Sequence, residues 1–272
     1  MKFNNITQSN GMAIVMVVDK TQQPNTGYLD PKLFHEQKIR SDHEQIPQSE
    51  ENIAQGIIEH ALRNIVRLKL GESKSDVFRF AQYGGDIVSQ RKTVDSYIEG
   101  INEADEKNAI INSIRLADYE IIYRAGVGEY GKDVLYSSMP NAQTIHSIQV
   151  MVSRTLNVLR KYGPAVRTNY QFTGAYTEKI YSGTGEFLLP GMILDVSASP
   201  DPLQPHQTLK LAIEWRMGLY SIYPELSKVN TIALFNARKN KLYAINVCDI
   251  PDQTNITIDT KIIQYKENRK RR

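Results

Sequence analysis

Apolar residues recur along the first half of the chain at helical spacing and along the second half at strand spacing. After Ser49, Ile53, Ile57, Ala61 and Ile65 follow at steps of four, with Ile58, Leu62 and Val66 beside them. One face of a helix is therefore apolar, and the spacing predicts a helix from Ser49 to Gly71. The Ser49 hydroxyl suits an N-cap, Glu50 and Glu51 suit the positive end of the dipole, and Gly71 suits a left-handed terminus. The same periodicity returns over 76–101, interrupted by Gly84-Gly85, and over 103–123, where Ala109, Ile110, Ile114, Ala117 and Ile121 share a side. A fourth helix is predicted from Asn141, with the stripe Ile145, Ile148, Val152, Leu156 and Leu159 and a stop at Gly163-Pro164.

Beyond Thr168 the apolar runs become short, aromatic or β-branched, separated by Gly, Pro and Asn, and this composition predicts strands. The runs are Tyr170 to Tyr181, Met192 to Val196, Thr208 to Met217, Thr231 to Phe235, Leu242 to Val247 and Ile256 to Tyr265. A polar turn over 236–241 reads as the tip of a hairpin. The pattern predicts an α+β protein: a polar arm over 1–48, a helical region over 49–165 packed on a mixed sheet over 166–265, and a basic tail over 266–272. The stretch from Thr21 to Gln48 carries Pro24, Pro31 and Pro47 and few hydrophobes, so it is expected to lie outside the core.

Composition changes this picture little. Thirty-three Lys and Arg against thirty Asp and Glu give a net charge of +3, too small to imply a polyanionic partner. The single Cys248 rules out an intramolecular disulfide and a cysteine-based zinc site, which favours a reducing, cytoplasmic compartment. The apolar run Met12 to Val18 is too short to span a bilayer and is followed by Asp19-Lys20, so neither a membrane segment nor a secretion signal is expected.

Candidate chemistry centres on carboxylates in the strand-rich half. Read as a strand, 208–217 places Leu209, Leu211, Ile213 and Trp215 on one face and Lys210, Ala212, Glu214 and Arg216 on the other. Upstream, Met192-Ile193-Leu194 ends in Asp195. Two neighbouring strands would bring Asp195 and Glu214 together, and paired carboxylates suit a hard Mg²⁺ ion that retains waters for a phosphate and a nucleophile.

Asp195 followed by Glu214-Trp215-Arg216 resembles the motif of the PD-(D/E)XK nucleases, the superfamily of many restriction endonucleases and RecB-type exonucleases. The resemblance covers about residues 170 to 250. It implies a mixed sheet flanked by helices, Mg²⁺ held by Asp195 and Glu214, and hydrolysis of DNA phosphodiester bonds. Arg216 then occupies the place of the motif lysine. It retains affinity for phosphate but cannot act as a base, because guanidinium does not deprotonate. Leu194 stands where the motif has proline. An additional upstream acid would be Glu178 or Glu186. Lys210 and the tail residues Arg269, Lys270, Arg271 and Arg272 are the candidate contacts to DNA.

Other features point elsewhere. Gly126 to Gly131 match G-x-G-x-x-G, but no strand precedes them and no helix follows, so a glycine turn is expected. His35, Asp42, His43 and Glu44 lie close in the polar arm without a further ligand cluster, and solvated side chains are expected. His60 and His146 fall within helices and are expected to be ordinary helix residues. Tyr170, Phe172, Tyr176 and Tyr181, mixed with Arg167 and Lys179, are read first as sheet packing and second as a base-stacking surface. Two non-enzymatic readings stand beside the nuclease. One is an assembly component of a virion or complex, including a homo-oligomer formed through the arm; the other is a nucleic-acid-binding protein without catalysis.

Overall fold

Helices form in the N-terminal half where the apolar repeat places them, with shifted ends. A computed structural model describes residues 11–39, 42, 44–125 and 139–266. Strand β1 (Met12–Ala13) leads into α1 (Ile14–Lys20), whose apolar run buries Ile14, Val17 and Val18. Strand β2 (His35–Lys38) follows, then α2 (Gln55–Lys69). Ser49 lies in a separate 3₁₀ turn, Gln48–Glu50, rather than at the N-cap, whereas Gly71 has the expected positive φ of 90°.

Three short helices, α3 (Lys74–Val77), α4 (Arg79–Ile87) and α5 (Arg91–Glu99), occupy the predicted 76–101 segment. The break falls at 88–90, where Ser89 adopts φ 59°, and not at Gly84-Gly85, which lie inside α4. Those glycines serve close packing. A Cβ on Gly84 would stand 1.8 Å from the Tyr119 carbonyl oxygen of α6 (Glu106–Ala125). Helix α7 (Ala142–Tyr162) starts as predicted at Asn141, whose side chain accepts from the Thr144 N–H at 2.8 Å, and ends at Gly163.

The C-terminal half supplies β3 (Arg167–Gln171), β4 (Ile180–Ser182), β5 (Thr184–Leu189), β6 (Met192–Ser197), α8 (Pro205–Tyr220), β7 (Thr231–Asn236), β8 (Lys241–Asn246) and α9 (Asp252–Thr257). Six strands form one mixed sheet in the order β2-β8-β7-β6-β5-β3. All pairs are antiparallel except β6 with β7, and α8 is the crossover that a parallel pair requires. The short β4 pairs with β1 outside this sheet.

Two predicted strands are helices. Thr208 to Met217 lies within α8. The alternation of apolar and polar residues there is coincidental, because both sides of the helix are buried: Leu209, Leu211, Ala212, Ile213, Glu214, Trp215 and Arg216 are all covered. A helix buried all round has no amphipathic stripe to betray it. Its local signals are Pro205 at the first turn, Gln207 Oε1 accepting from the Gln204 N–H at 2.9 Å, and a run rich in Leu, Ala, Glu, Arg and Met. Likewise 256–265 continues α9 into a π-helical turn, Ile258–Ile263, which buries Ile258, Ile262 and Ile263 and stops at Gln264 in the left-handed conformation.

The architecture is α+β, with helices on both faces of the sheet. Leu194, Val196 and Phe187 point into a core shared with α2, α6 and α7, while Ile193 and Leu188 point into a second core with α8, α1 and the C-terminal turn. The 21–48 segment, expected outside the core, contributes Leu29, Phe34, Ile39 and Ile46 as buried side chains. Few hydrophobes suffice, because β2 pairs with β8 as the edge strand of the sheet and Asp42 pairs with the buried guanidinium of Arg154. Among the described residues no helix is long and apolar enough to cross a membrane.

Candidate functional site

Asp195 and Glu214 meet, but through a helix rather than a neighbouring strand. Asp195 shares the α8-facing side of β6 with Ile193, as the period of two requires. On α8, Lys210 and Glu214 are one turn apart and point the same way. The Lys210 Nζ lies 2.5 Å from Asp195 Oδ2 and 2.8 Å from Glu214 Oε1. The ammonium joins the two carboxylates.

Arg216 does not belong to this cluster. Two residues along an α-helix turn the side chain by roughly 200°, so the helical state that aligns Glu214 with Lys210 sends Arg216 away. Its Nε lies 2.7 Å from Asp259 Oδ1, its Nη2 also pairs with that carboxylate, and its side chain is 2 % exposed. The assignment of Arg216 to the lysine position of the motif is corrected accordingly: the cation at the acids is Lys210.

A third carboxylate joins from β5. Phe187 pairs with Leu194 and Leu188 with Ile193, so Glu186 stands opposite Asp195 at the next step of the ladder. Glu186 Oε1 is 3.0 Å from Arg63 Nη1 and 3.8 Å from Lys210 Nζ, and Oε2 accepts from the Val196 N–H at 2.8 Å. Arg63 projects from α2, one turn beyond Glu59, which accepts from the Ser197 hydroxyl and the Ala198 N–H. Of the two upstream acids, Glu186 is the one in place; Glu178 is solvent-exposed and pairs loosely with Lys266. Sequence reasoning missed β5 as a strand, although Thr184 to Leu189 followed by Pro190-Gly191 has the form of a hairpin arm. Arg63 had a signal only in its spacing from Glu59.

These residues form the floor of a cleft of about 1060 Å³, lined by Glu59, His60, Arg63, Glu186, Asp195 and Lys210 among others. Glu214 is fully buried behind Lys210 and does not line it. Burial, and then the charge of Asp195, holds the Glu214 carboxyl well above the usual carboxylate range. Burial also raises Glu186, with Arg63 opposing and Asp195 adding to the effect. Burial works against the Lys210 charge, yet Asp195, Glu214 and Glu186 outweigh it and push the Lys210 pKa up. Lys210 is a fixed cation at neutral pH.

A pH dependence follows with a definite sign. The folded state retains the Glu214 proton at pH values where the unfolded chain has released it, so stability falls as pH rises above the ordinary Glu pKa toward the raised value. Glu214→Gln keeps the shape without the titration. The expected outcome is a Tm for wild type that declines more steeply from pH 5 to pH 8 than that of Glu214→Gln, measured by calorimetry in parallel buffers. Parallel curves would mean that Glu214 is already ionised in the fold.

The donor set suits a hard cation. Three carboxylates, Glu186, Asp195 and Glu214, face two cations, Lys210 and Arg63, leaving one negative charge for a proton or a metal ion to balance. Asp195 Oδ1 is buried and accepts no hydrogen bond among the described residues, and the same holds for both oxygens of Glu214, which meets Lys210 as an ion pair only. Among the described residues, no group of three or more His, Cys, Asp or Glu side chains is gathered closely enough to enclose an ion. Mg²⁺ does not need such a cage, since one or two carboxylates with waters and phosphate oxygens complete its shell.

The remaining sequence candidates sit apart. Arg269, Lys270, Arg271 and Arg272, His43 and the glycine stretch 126–131 lie outside the described residues. Asp42 and Glu44 are engaged with Arg154 and His146 respectively. His60 does more than sit in a helix, since its Nδ1 is 3.3 Å from Glu120 Oε2 at the cleft wall. Tyr170 and Phe172 are buried edge-to-face in the sheet core, while Tyr181 stays exposed at the cleft.

No family model, curated protein or solved structure matches the chain.

Proposed function

We propose that the protein is a Mg²⁺-dependent DNA phosphodiesterase of PD-(D/E)XK type, acting at the floor of the cleft. The observation that carries this reading is the meeting of Asp195, Glu186 and Lys210, from two adjacent strands and the following helix, at the lining of one cleft, with Asp195 Oδ1 left without a hydrogen-bond partner among the described residues. Asp195 and Glu186 would hold the ion, which supplies electrostatic stabilisation of the phosphate and a more acidic bound water. Lys210 is protonated and held between the acids, so it donates to a phosphate oxygen and stabilises the charge that grows there. It is not the base. Glu214 is a positioning residue that keeps the ammonium aimed into the cleft. In this reading helix α8 supplies the cation that the motif ordinarily places on the strand.

The segment that motivated an assembly role packs in part on the chain's own sheet, where β2 pairs with β8. The test of the nuclease reading is incubation of the purified protein with supercoiled plasmid and with single-stranded circular DNA, in Mg²⁺, Mn²⁺ or EDTA. Nicking or degradation of either DNA that needs the metal is expected. Intact DNA in every metal condition rejects the proposal.

A further inference from the structure

We infer that the cleft receives an unpaired DNA strand, one of whose bases stacks on Tyr123 beside the carboxylate cluster; this rests on the nuclease reading and names its substrate class. Phe80 and Tyr83 of α4 and Tyr123 of α6 form an aromatic group, of which Phe80 and Tyr123 line the cleft. The Phe80 and Tyr123 rings stack with centroids 5.1 Å apart and planes 10° from parallel, and Tyr83 leans on Tyr123 at 5.3 Å. Phe80 is buried, but Tyr83 and Tyr123 are each 42 % exposed. Phe80, Tyr123 and Arg124 line the same cleft as Asp195 and Lys210.

Cations flank the rings. The Arg124 guanidinium lies 4.8 Å from the Phe80 centroid and that of Arg79 lies 5.6 Å from it. Arg124 is neutralised by Glu120, whereas Arg79 has no carboxylate within 4.0 Å among the described residues. Arg79 opens into an adjoining cavity of about 340 Å³ with Arg167 and Tyr223, and that cavity shares Asn169 and Gln171 with the cleft. Arg167 stacks 4.2 Å from the Tyr223 ring and also pairs with Glu225. A path therefore runs from the acids, past the partly exposed rings of Tyr123 and Tyr83, to two guanidinium groups.

That sequence of surfaces fits a single strand and not a duplex. Stacking on a side chain requires a bare base face, which paired bases inside a helix do not offer, and the backbone phosphates need cations spaced along the path. The reaction centre is also recessed, with Asp195 only 3 % exposed, so the strand must enter the cleft to reach it.

The test measures binding apart from cleavage. Full-length Asp195→Asn protein in Mg²⁺ is titrated into fluorescent oligonucleotides of equal length, one single-stranded and one fully duplex, and anisotropy is recorded. The expected result is single-strand binding at least about tenfold tighter than duplex binding, weakened about tenfold by adding Tyr123→Leu and preserved with Tyr123→Phe. Equal or tighter duplex binding, no binding to either DNA, or indifference to Tyr123→Leu overturns the inference. The two proposals fail separately. A metal-dependent nuclease without the Tyr123-dependent preference refutes only the substrate class, and a Tyr123-dependent preference without cleavage by wild type refutes only the nuclease.

Discussion

On the proposed nuclease reading, Asp195→Asn is expected to lower the rate of Mg²⁺-dependent DNA cleavage by on the order of 1000-fold, with the fold retained. Asparagine has the same outline as aspartate, and its carbonyl oxygen still accepts from the Lys210 ammonium, which lies 2.5 Å from Asp195 Oδ2. The negative charge is what disappears. A neutral amide oxygen is a poor ligand for a hard cation, so the loss appears in kcat at saturating DNA and is offset only partly by raising the metal concentration. Stability is expected to stay about level, because Asp195 repels Glu214 and Glu186 but also supports the buried Lys210 charge. Single-turnover cleavage and a melting curve on the same preparation check both parts. Undiminished cleavage by Asp195→Asn would remove Asp195 from the reaction and with it the proposed site.

Arg216→Leu is expected to have the opposite profile: it destabilises the protein by about 3–5 kcal/mol, a fall in Tm of about 10 °C, while the proposed DNA cleavage per folded molecule is unchanged. The guanidinium is almost wholly covered, and it meets Asp259 through both Nε and Nη2. Removing it takes the guanidinium charge away from the buried Asp259 carboxylate, which is the costly half of a buried ion pair. The double change Arg216→Leu with Asp259→Leu recovers most of the loss, because the charge and its partner leave together. Turnover per folded molecule separates the two roles. A drop in kcat comparable to that of Asp195→Asn, at a temperature where Arg216→Leu is folded, would return Arg216 to the site.

These two residues also mark where the one-dimensional pattern stops being informative. Helix α7 was legible because its burial is one-sided: the stripe from Ile145 to Leu159 carries the 3.6-residue repeat, Asn141 caps it and Gly163 ends it. Strands β6, β7 and β8 were legible for a similar reason, as β-branched and aromatic runs between turn residues. Helix α8 was not, since a segment covered on every side has no polar face to set its phase, and its apolar positions fit a period of two as well as any other. The C-terminal Ile258–Ile263 turn was misread because tertiary burial of its isoleucines overrides their β preference.

By itself the sequence determined the α+β class, the positions of the amphipathic helices and the presence of an acid within β6. Tertiary structure alone decided which charges share a site. Cross-strand register brings Glu186 opposite Asp195, helical phase aims Lys210 and Glu214 at them while turning Arg216 toward Asp259, and packing of α2 against the sheet delivers Arg63. The physical reason is that electrostatic coupling acts across a few ångströms in space, and neighbours at that range are fixed by packing between elements far apart along the chain.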